Sequence, residues 1–233
     1  MTSRLTGSKN PRYKPCDCLL RVGIPCKIWG EDVLFYHGVP TLVFDLFILV
    51  SDPEASRQLV SHGYIRTTPN KRFIKIPELS SQAPRLVLAE KIMEIPSMTS
   101  DATGLLQADD TVLPGVVLLS ATEWNYSLPH SLADLQELIP SLHEYFDSIV
   151  EKWMDLTANM HSLRRYLAIH IHYHSVYLDE FWTKEFENEI RLEHRQLLFD
   201  IMADGAGGNV DLLDRECQIY HQSIRNQILE KKV

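Results

Sequence analysis

The chain has 233 residues, of which 45% are hydrophobic and 23% charged, which is enough to bury one good core or two small ones. Its formal net charge of −8 excludes a general nucleic-acid coat, whose affinity comes from neutralising phosphates. No apolar run reaches the ~18 residues of a membrane span, and the polar, basic N-terminus does not have the pattern of a secretory signal.

The cysteines follow no zinc-binding spacing, because Cys16, Cys18 and Cys26 lack a second ligand pair and Cys217 lies far along the chain. We therefore expect reduced thiols in a soluble, cytoplasmic protein with no bound metal or cofactor. Neither a membrane nor DNA is an expected partner.

The N-terminal part begins with a predicted flexible basic tail over residues 1–18. The apolar segment Leu19–Ile28 predicts a first strand. Trp29 and Gly30 then predict a glycine-led turn into a helix over Glu31–His37.

Thr41–Val50 is β-branched, aromatic and almost continuously apolar, which is typical of a central strand covered on both faces. Its one charge is Asp45, an acid that is costly to bury without a partner. A helix over residues 54–62 and a hairpin with strands at 64–68 and 72–76 are predicted next.

The segment Arg85–Glu94 has a mixed strand or helix pattern, 96–114 a loop pattern, and Val116–Ala121 the pattern of a buried strand. After residue 130 the period becomes helical, and Pro140 is expected to kink or split the first helix. A second helix is predicted over about 162–202 and a last helix over 210–230. The sequence thus predicts an α/β domain at 19–128 and an all-helical C-terminal region at 129–233.

The stretch from the first strand to the second resembles the opening of nucleotidyltransferase-like proteins. In that fold a strand leads to a Gly-Gly or Gly-Ser turn, a helix, and a strand bearing Asp-x-Asp. Here Gly30 and Glu31 stand at the turn, Asp45 at the first carboxylate and Phe47 at the second. The resemblance implies an α/β (α+β) fold with a mixed sheet and flanking helices.

The same resemblance implies a site for two magnesium ions, which paired carboxylates would clamp. Phe47 removes one of those carboxylates, although magnesium prefers several hard oxygen ligands. Glu123, after a later strand, is the candidate for a third acid. A nucleotidyltransferase with an altered metal site and an inactive binding module of this fold are therefore two alternatives for the function.

The chain is also similar, in size and type, to the fungal arginine-containing cyclodipeptide synthases. Short fungal proteins carry a similar Trp-Gly-Glu-Asp helix, Gly-Val-Pro-Thr and Phe-Asp-Leu, found here at 29–32, 38–41 and 44–46. This resemblance implies a metal-independent aminoacyltransferase of secondary metabolism, which uses two aminoacyl-tRNAs, one of them charged with arginine. Asp134 and Glu137 match the family's Asp-Asp-x-x-Glu motif, without its first acid.

Asp45 is the leading candidate for the site, because a buried carboxylate can accept a proton or pair with an arginine guanidinium. Asp134 and Glu137 are predicted to share one face of a helix. Either they take part in catalysis or they cap the start of that helix. Aromatic residues of the site stack on a substrate or pack in the core. The predicted catalytic residues are Asp45, Glu31, Asp134 and Glu137, and the predicted substrate-binding residues are Gly30, Trp29, Thr41, Glu123 and Trp124.

Two further patterns lie in the helical region. His170, His172 and His174 alternate along a predicted helix. The first and third are candidates for metal ligands, for a proton shuttle, or for core histidines whose hydrogen bonds are satisfied within the protein. Arg164 and Arg165 lie at the start of a predicted helix. Two roles are predicted for them as alternatives: binding a phosphate, or forming a solvated helix end.

Overall fold

A computed structural model describes residues 10–51, 54–67, 76–80, 83–90, 99–100, 106–107, 114–129, 135–204 and 213–231. The chain divides into two compact units. The sheet unit comprises Met1–Val33 and Leu42–Pro140, and the helical unit comprises Leu34–Thr41 and Ser141–Val233. The last point of division, after Pro140, lies later in the chain than the predicted boundary at residue 128.

A mixed sheet forms the core of the sheet unit, with the strand order β1-β2-β7-β4-β3-β6-β5. The strands are β1 (Cys26–Trp29), β2 (Leu46–Val50), β3 (Tyr64–Thr67), β4 (Arg85–Leu88), β5 (Thr99–Ser100), β6 (Leu106–Gln107) and β7 (Val116–Ser120).

The pairing directions confirm the predicted mixed sheet. β1 is antiparallel to β2, β2 is parallel to β7, and β7, β4 and β3 are successively antiparallel. β3 is parallel to β6, which is antiparallel to β5. Every residue of β1 and β2 is buried, as the apolar sequence predicts for strands covered on both faces.

Helices flank this sheet along the chain. They are α1 (Lys14–Arg21), α2 (Glu31–Tyr36), α3 (Glu54–Ser61) and α4 (Pro77–Ser80), with 3-10 turns at Pro11–Tyr13, Thr122–Trp124 and Leu135–Leu138. The division between the units falls within α2, whose first three residues belong to the sheet unit.

The start of the chain differs from the prediction of a basic tail through residue 18 and a strand from Leu19. Residues 14–21 instead form α1, because Pro15 suits the first helical turn and Cys16, Cys18 and Leu19 are buried. The helix packs against α3 and β1.

The strand predicted over Thr41–Val50 is shorter than expected and begins at Leu46. The guanidinium of Arg12 donates hydrogen bonds to the carbonyl oxygens of Phe44 and Asp45. A side chain, rather than a neighbouring strand, therefore satisfies these backbone acceptors.

The strands predicted at 64–68 and 116–121 are confirmed as β3 and β7. Of the segment predicted as mixed, Arg85–Leu88 is strand β4, which pairs with β3 along its length. Most of the predicted strand at 72–76 lies outside the described residues.

The C-terminal region is helical, as predicted. Its helices are α5 (Leu142–Asp155), α6 (His161–Tyr177), α7 (Lys184–Glu189), α8 (Arg195–Asp204) and α9 (Arg215–Glu230), with 3-10 turns at Asp179–Trp182 and Leu192–His194. Ser141 starts α5 with a capping box to Glu144, just after Pro140. The predicted helix over 162–202 is interrupted because Leu178 and Ile190, both buried, adopt extended backbone conformations.

In the part of the chain that the structure describes, no helix combines the length and apolar character needed to cross a membrane.

Candidate functional site

The predicted site acid, Asp45, is buried at 4% exposure directly before β2. Its Oδ2 accepts a hydrogen bond from Nε of Arg85 at 2.8 Å, and its Oδ1 accepts one from Nη2 of Arg85 at 2.9 Å. Oδ1 also accepts the backbone N–H of Gly115 at 2.6 Å. Both carboxylate oxygens therefore have charge-assisted partners within the protein.

One strand, β7, lies between β4, which carries Arg85, and β2, which Asp45 precedes. The long side chain of Arg85 spans the width of β7 to reach Asp45. Arg85 pairs with Val117 of β7, and β7 in turn pairs with β2. The guanidinium is 4% exposed and donates from Nη1 to Oγ1 of Thr67 at 3.0 Å. The two parallel hydrogen bonds from Nε and Nη2 of Arg85 to Asp45 are the strongest form of an arginine–carboxylate pair.

The glycine-led turn predicted at Gly30 is confirmed, with a φ of 68° that favours glycine. Antiparallel pairing sets Trp29 opposite Phe47, so the turn that follows β1 lies at the same end of the strands as the start of β2. Phe47, which the predicted resemblance sets in place of a second carboxylate, is buried. Within the described residues, no group of three or more His, Cys, Asp or Glu side chains is placed to hold a metal ion.

A second buried carboxylate, Asp32, adjoins the turn and was missed in the sequence. Its oxygens accept Nε and Nη2 of Arg12, each at 2.6 Å, and the hydroxyl of Tyr13 at 3.2 Å. Burial raises the pKa of Asp32, and the hydrogen bonds from Arg12 oppose that rise. No sequence pattern indicated this pair, because Arg12 lies in the stretch predicted to be a tail.

The aromatic site candidates are packed in the core of the sheet unit. Trp29 and Trp124 are both buried and meet edge to face, with ring centroids 5.9 Å apart. Tyr126 makes a similar contact with Trp29 at 5.3 Å. Of the two roles considered for these rings, the geometry matches packing.

The remaining candidates are distributed along the chain. Glu31 is half-buried in the first turn of α2, and Glu123 is exposed after β7. Thr41 belongs to the helical unit. Glu137 is exposed, and its backbone carbonyl accepts a hydrogen bond from Nζ of Lys27. Asp134 lies outside the described residues.

A cavity of about 350 Å³ lies in the sheet unit beside the start of β2. Two cations, Arg12 and Lys14, line it together with Tyr64. Its apolar lining includes Leu46, Leu86, Leu88 and Val116. Gly115, which binds Asp45, also contributes to the wall.

The histidine series of the helical unit lies on α6, as predicted. His170 and His174 are buried, and Nδ1 of His170 is 2.6 Å from the hydroxyl of Tyr145. Burial lowers the pKa of His174 to about 3, so this imidazole is neutral at physiological pH. His174 stacks on Tyr145 and meets Phe146 edge to face, which makes it a core residue.

A charged cluster around His194, which sequence reasoning missed, lies elsewhere in the helical unit. Nδ1 of His194 is 2.6 Å from Asp147, and Nε2 is 2.7 Å from Glu151. Burial lowers the pKa of His194, but the hydrogen bonds to both carboxylates outweigh burial and raise it. Nη1 of Arg225 donates to Glu151 and Asp155, and Arg191 lies 3.3 Å from Glu151.

Comparison with known proteins gives no relative from which to carry over a function: no protein-family model, no curated protein and no solved structure matches this chain.

Proposed function

We propose that this chain is a nucleotidyltransferase-like binding module that does not carry out metal-dependent nucleotidyl transfer. The order of strand, glycine-led turn, helix and acid-led strand supports the scaffold. The observation that carries the proposal is the clamp on Asp45, by which we mean its three hydrogen bonds from Arg85 and Gly115.

The clamp leaves Asp45 poorly suited to metal chemistry. A magnesium ion would have to displace a bidentate guanidinium, and Arg85 would then be a buried charge without its partner. Breaking such a pair costs about 3–5 kcal/mol. Phe47 offers no oxygen in return, so nothing in the clamp offsets that cost.

The aminoacyl-tRNA-dependent synthesis of an arginine-containing cyclic dipeptide stays a prediction. The bidentate role that it assigns to Asp45, pairing with the guanidinium of a substrate, is filled by the chain's own Arg85. We therefore favour binding over transfer as the role of the sheet unit.

The cavity beside β2 suggests the class of ligand. Its lining is mostly apolar, and the exposed Lys14 supplies positive charge, whereas the charge of Arg12 is balanced by Asp32. A volume of about 350 Å³ is at the lower end of small-molecule sites, which span roughly 300–1,000 Å³. We propose a small organic anion as the ligand, with its apolar body against the leucines and its acidic group near Lys14.

Thermal unfolding with added ligands tests both parts of the proposal. Because binding to the folded state raises the unfolding temperature, ATP with and without magnesium should leave it equal, whereas 2-naphthoate should raise it. Lys14→Gln should weaken the naphthoate effect. Arg21→Gln, which removes an exposed cation of the same helix outside the cavity, should not.

The outcomes are separable. Stabilisation by ATP that requires magnesium would overturn the binding-module proposal. Failure of 2-naphthoate, with no magnesium effect, would overturn only the assignment of the cavity. We also propose a cytoplasmic location, which the four free cysteines support.

A further inference from the structure

The helical unit contains a basic pocket that the proposed function does not use. It has a volume of about 240 Å³ and lies where the first turn of α6 meets the first turn of α9. Arg164, Arg165 and Arg215 line it, together with His161 and Asp214. All of these residues belong to one unit, so the pocket is formed within it.

The positive charge is unusual for this position in a helix. The N-terminus of a helix carries partial positive charge and exposed N–H groups, and it favours acidic side chains. The first turns of α6 contain His161, Arg164 and Arg165 instead, and Met160 at the N-cap provides no side-chain hydrogen bond. A bound anion would match both the dipole and these side chains.

Arg164 provides a second, independent observation. It is 7% exposed and is anchored from Nη2 to the carbonyl oxygen of Thr157 at 2.8 Å. Its Nε is fully buried and has no hydrogen-bond partner in the described structure. Burial, followed by the charge of Arg215, lowers the pKa of Arg164. Arg164 therefore places in the pocket wall a guanidinium group that backbone carbonyl oxygens, and no carboxylate, hold in position.

One carboxylate and three guanidinium groups line the pocket, so its charge stays net positive. Arg215 donates to the carbonyl oxygen of Leu156 and to Oε1 of Gln218, both uncharged. Arg165 is exposed and has no partner among the described residues. The one carboxylate, Asp214, accepts the N–H of Cys217 as the N-cap of α9.

We infer that this pocket binds a phosphate group. Three guanidinium groups suit a phosphate because arginine binds its oxygens through paired, directed N–H donors. The volume equals that of roughly eight water molecules, which accommodates a phosphate and a small attached group. The inference rests on the helical unit alone and does not depend on the proposed function of the sheet unit.

Two sources supply the same chemistry, a small phosphomonoester or the phosphate backbone of RNA. Isothermal titration with inorganic phosphate, glycerol phosphate and a short single-stranded RNA, all at one ionic strength, distinguishes them. Saturable binding of glycerol phosphate without RNA binding identifies a small ligand. RNA binding that inorganic phosphate displaces identifies the polynucleotide.

Arg165→Gln is the cleanest variant, because this exposed side chain supports no other described residue. It should weaken phosphate binding by about tenfold, the effect of losing one charge-assisted hydrogen bond. Lys231→Gln is the matched control, since it removes an exposed cation at the opposite end of α9, roughly 24 Å from Arg215. No saturable binding of any probe, or equal loss in both variants, would overturn the inference.

Discussion

The guanidinium of Arg85 occupies the space that a side chain at Gly115 would need. A Cβ at residue 115 would lie 2.7 Å from Cζ and 2.8 Å from Nη2 of Arg85. Asp45 and Thr67 hold this guanidinium in place, so it does not swing aside as the end of a surface arginine would. Gly115 therefore belongs to the clamp on Asp45 both through its N–H and through its lack of a side chain.

Gly115→Ala should accordingly destabilise the protein. The added methyl group forces the buried guanidinium away from Asp45, and overpacking of this kind costs about 1–3 kcal/mol. Urea unfolding measures the loss of free energy. In a protein that carries Arg85→Gln, whose side chain is shorter, Gly115→Ala should cost less free energy than it does in the wild-type protein. An equal cost of Gly115→Ala in the two proteins would contradict the proposed contact.

The buried pair itself is tested by a double-mutant cycle. Asp45→Asn leaves the charge of Arg85 without a counterion and should cost about 3–5 kcal/mol. Asp45→Asn combined with Arg85→Gln removes both charges and should cost less than the sum of the single changes by at least about 1 kcal/mol. Additive losses in urea unfolding would show that the two side chains do not stabilise each other.

These two residues also show where sequence reasoning stops. The buried runs of β1 and β2 and the turn at Gly30 were predictable, because apolar continuity and glycine act over a few residues. Asp45 was recognisable as an acid that needs a partner. Arg85 was not recognisable as that partner, since it is 40 residues away and on a strand separated from β2 by β7.

The helical unit gives a similar contrast. Period and proline placement predicted the helical character of this unit and the split at Pro140, but not the interruptions at Leu178 and Ile190. The cluster around His194 depends on tertiary packing, since Asp147 lies 47 residues from the histidine in sequence. Arg12, in the sheet unit, was missed for another reason: it lies in the 3-10 turn Pro11–Tyr13, within the basic stretch that was predicted to be a tail.

Acid should destabilise the protein partly through His174. Its pKa is about 3 in the folded protein and about 6.5 unfolded, so the unfolded state gains a proton first as pH falls. Between pH 6.5 and 4.5 this removes about 2–3 kcal/mol of stability. His174→Phe should reduce the dependence of unfolding free energy on pH in that interval. An unchanged slope would show that His174 does not remain neutral in the fold.

Alkali should also destabilise the protein, in this case through His194. Its pKa is raised in the folded state, so its stabilising contribution is complete below pH 6.5 and is lost as pH rises through the folded pKa. The groups that face it are Asp147, Glu151 and Arg191, and Arg225 contacts Glu151. His194→Gln should lower stability at pH 6 and flatten the decline up to pH 9. Chemical denaturation across this range would contradict the assignment if the decline were equally steep in both proteins.

The parallel pairing of β2 with β7 also has a consequence for how the chain folds. Asp45 and Gly115, which flank these strands, are 70 residues apart, whereas helical hydrogen bonds join residues four apart. Closing a loop of that length costs about 2.5 kcal/mol more entropy than closing a four-residue turn. Contacts this distant in sequence are associated with slow folding. We therefore expect α5 and α6 to form early in refolding and the clamp on Asp45 to close last, in the slowest phase.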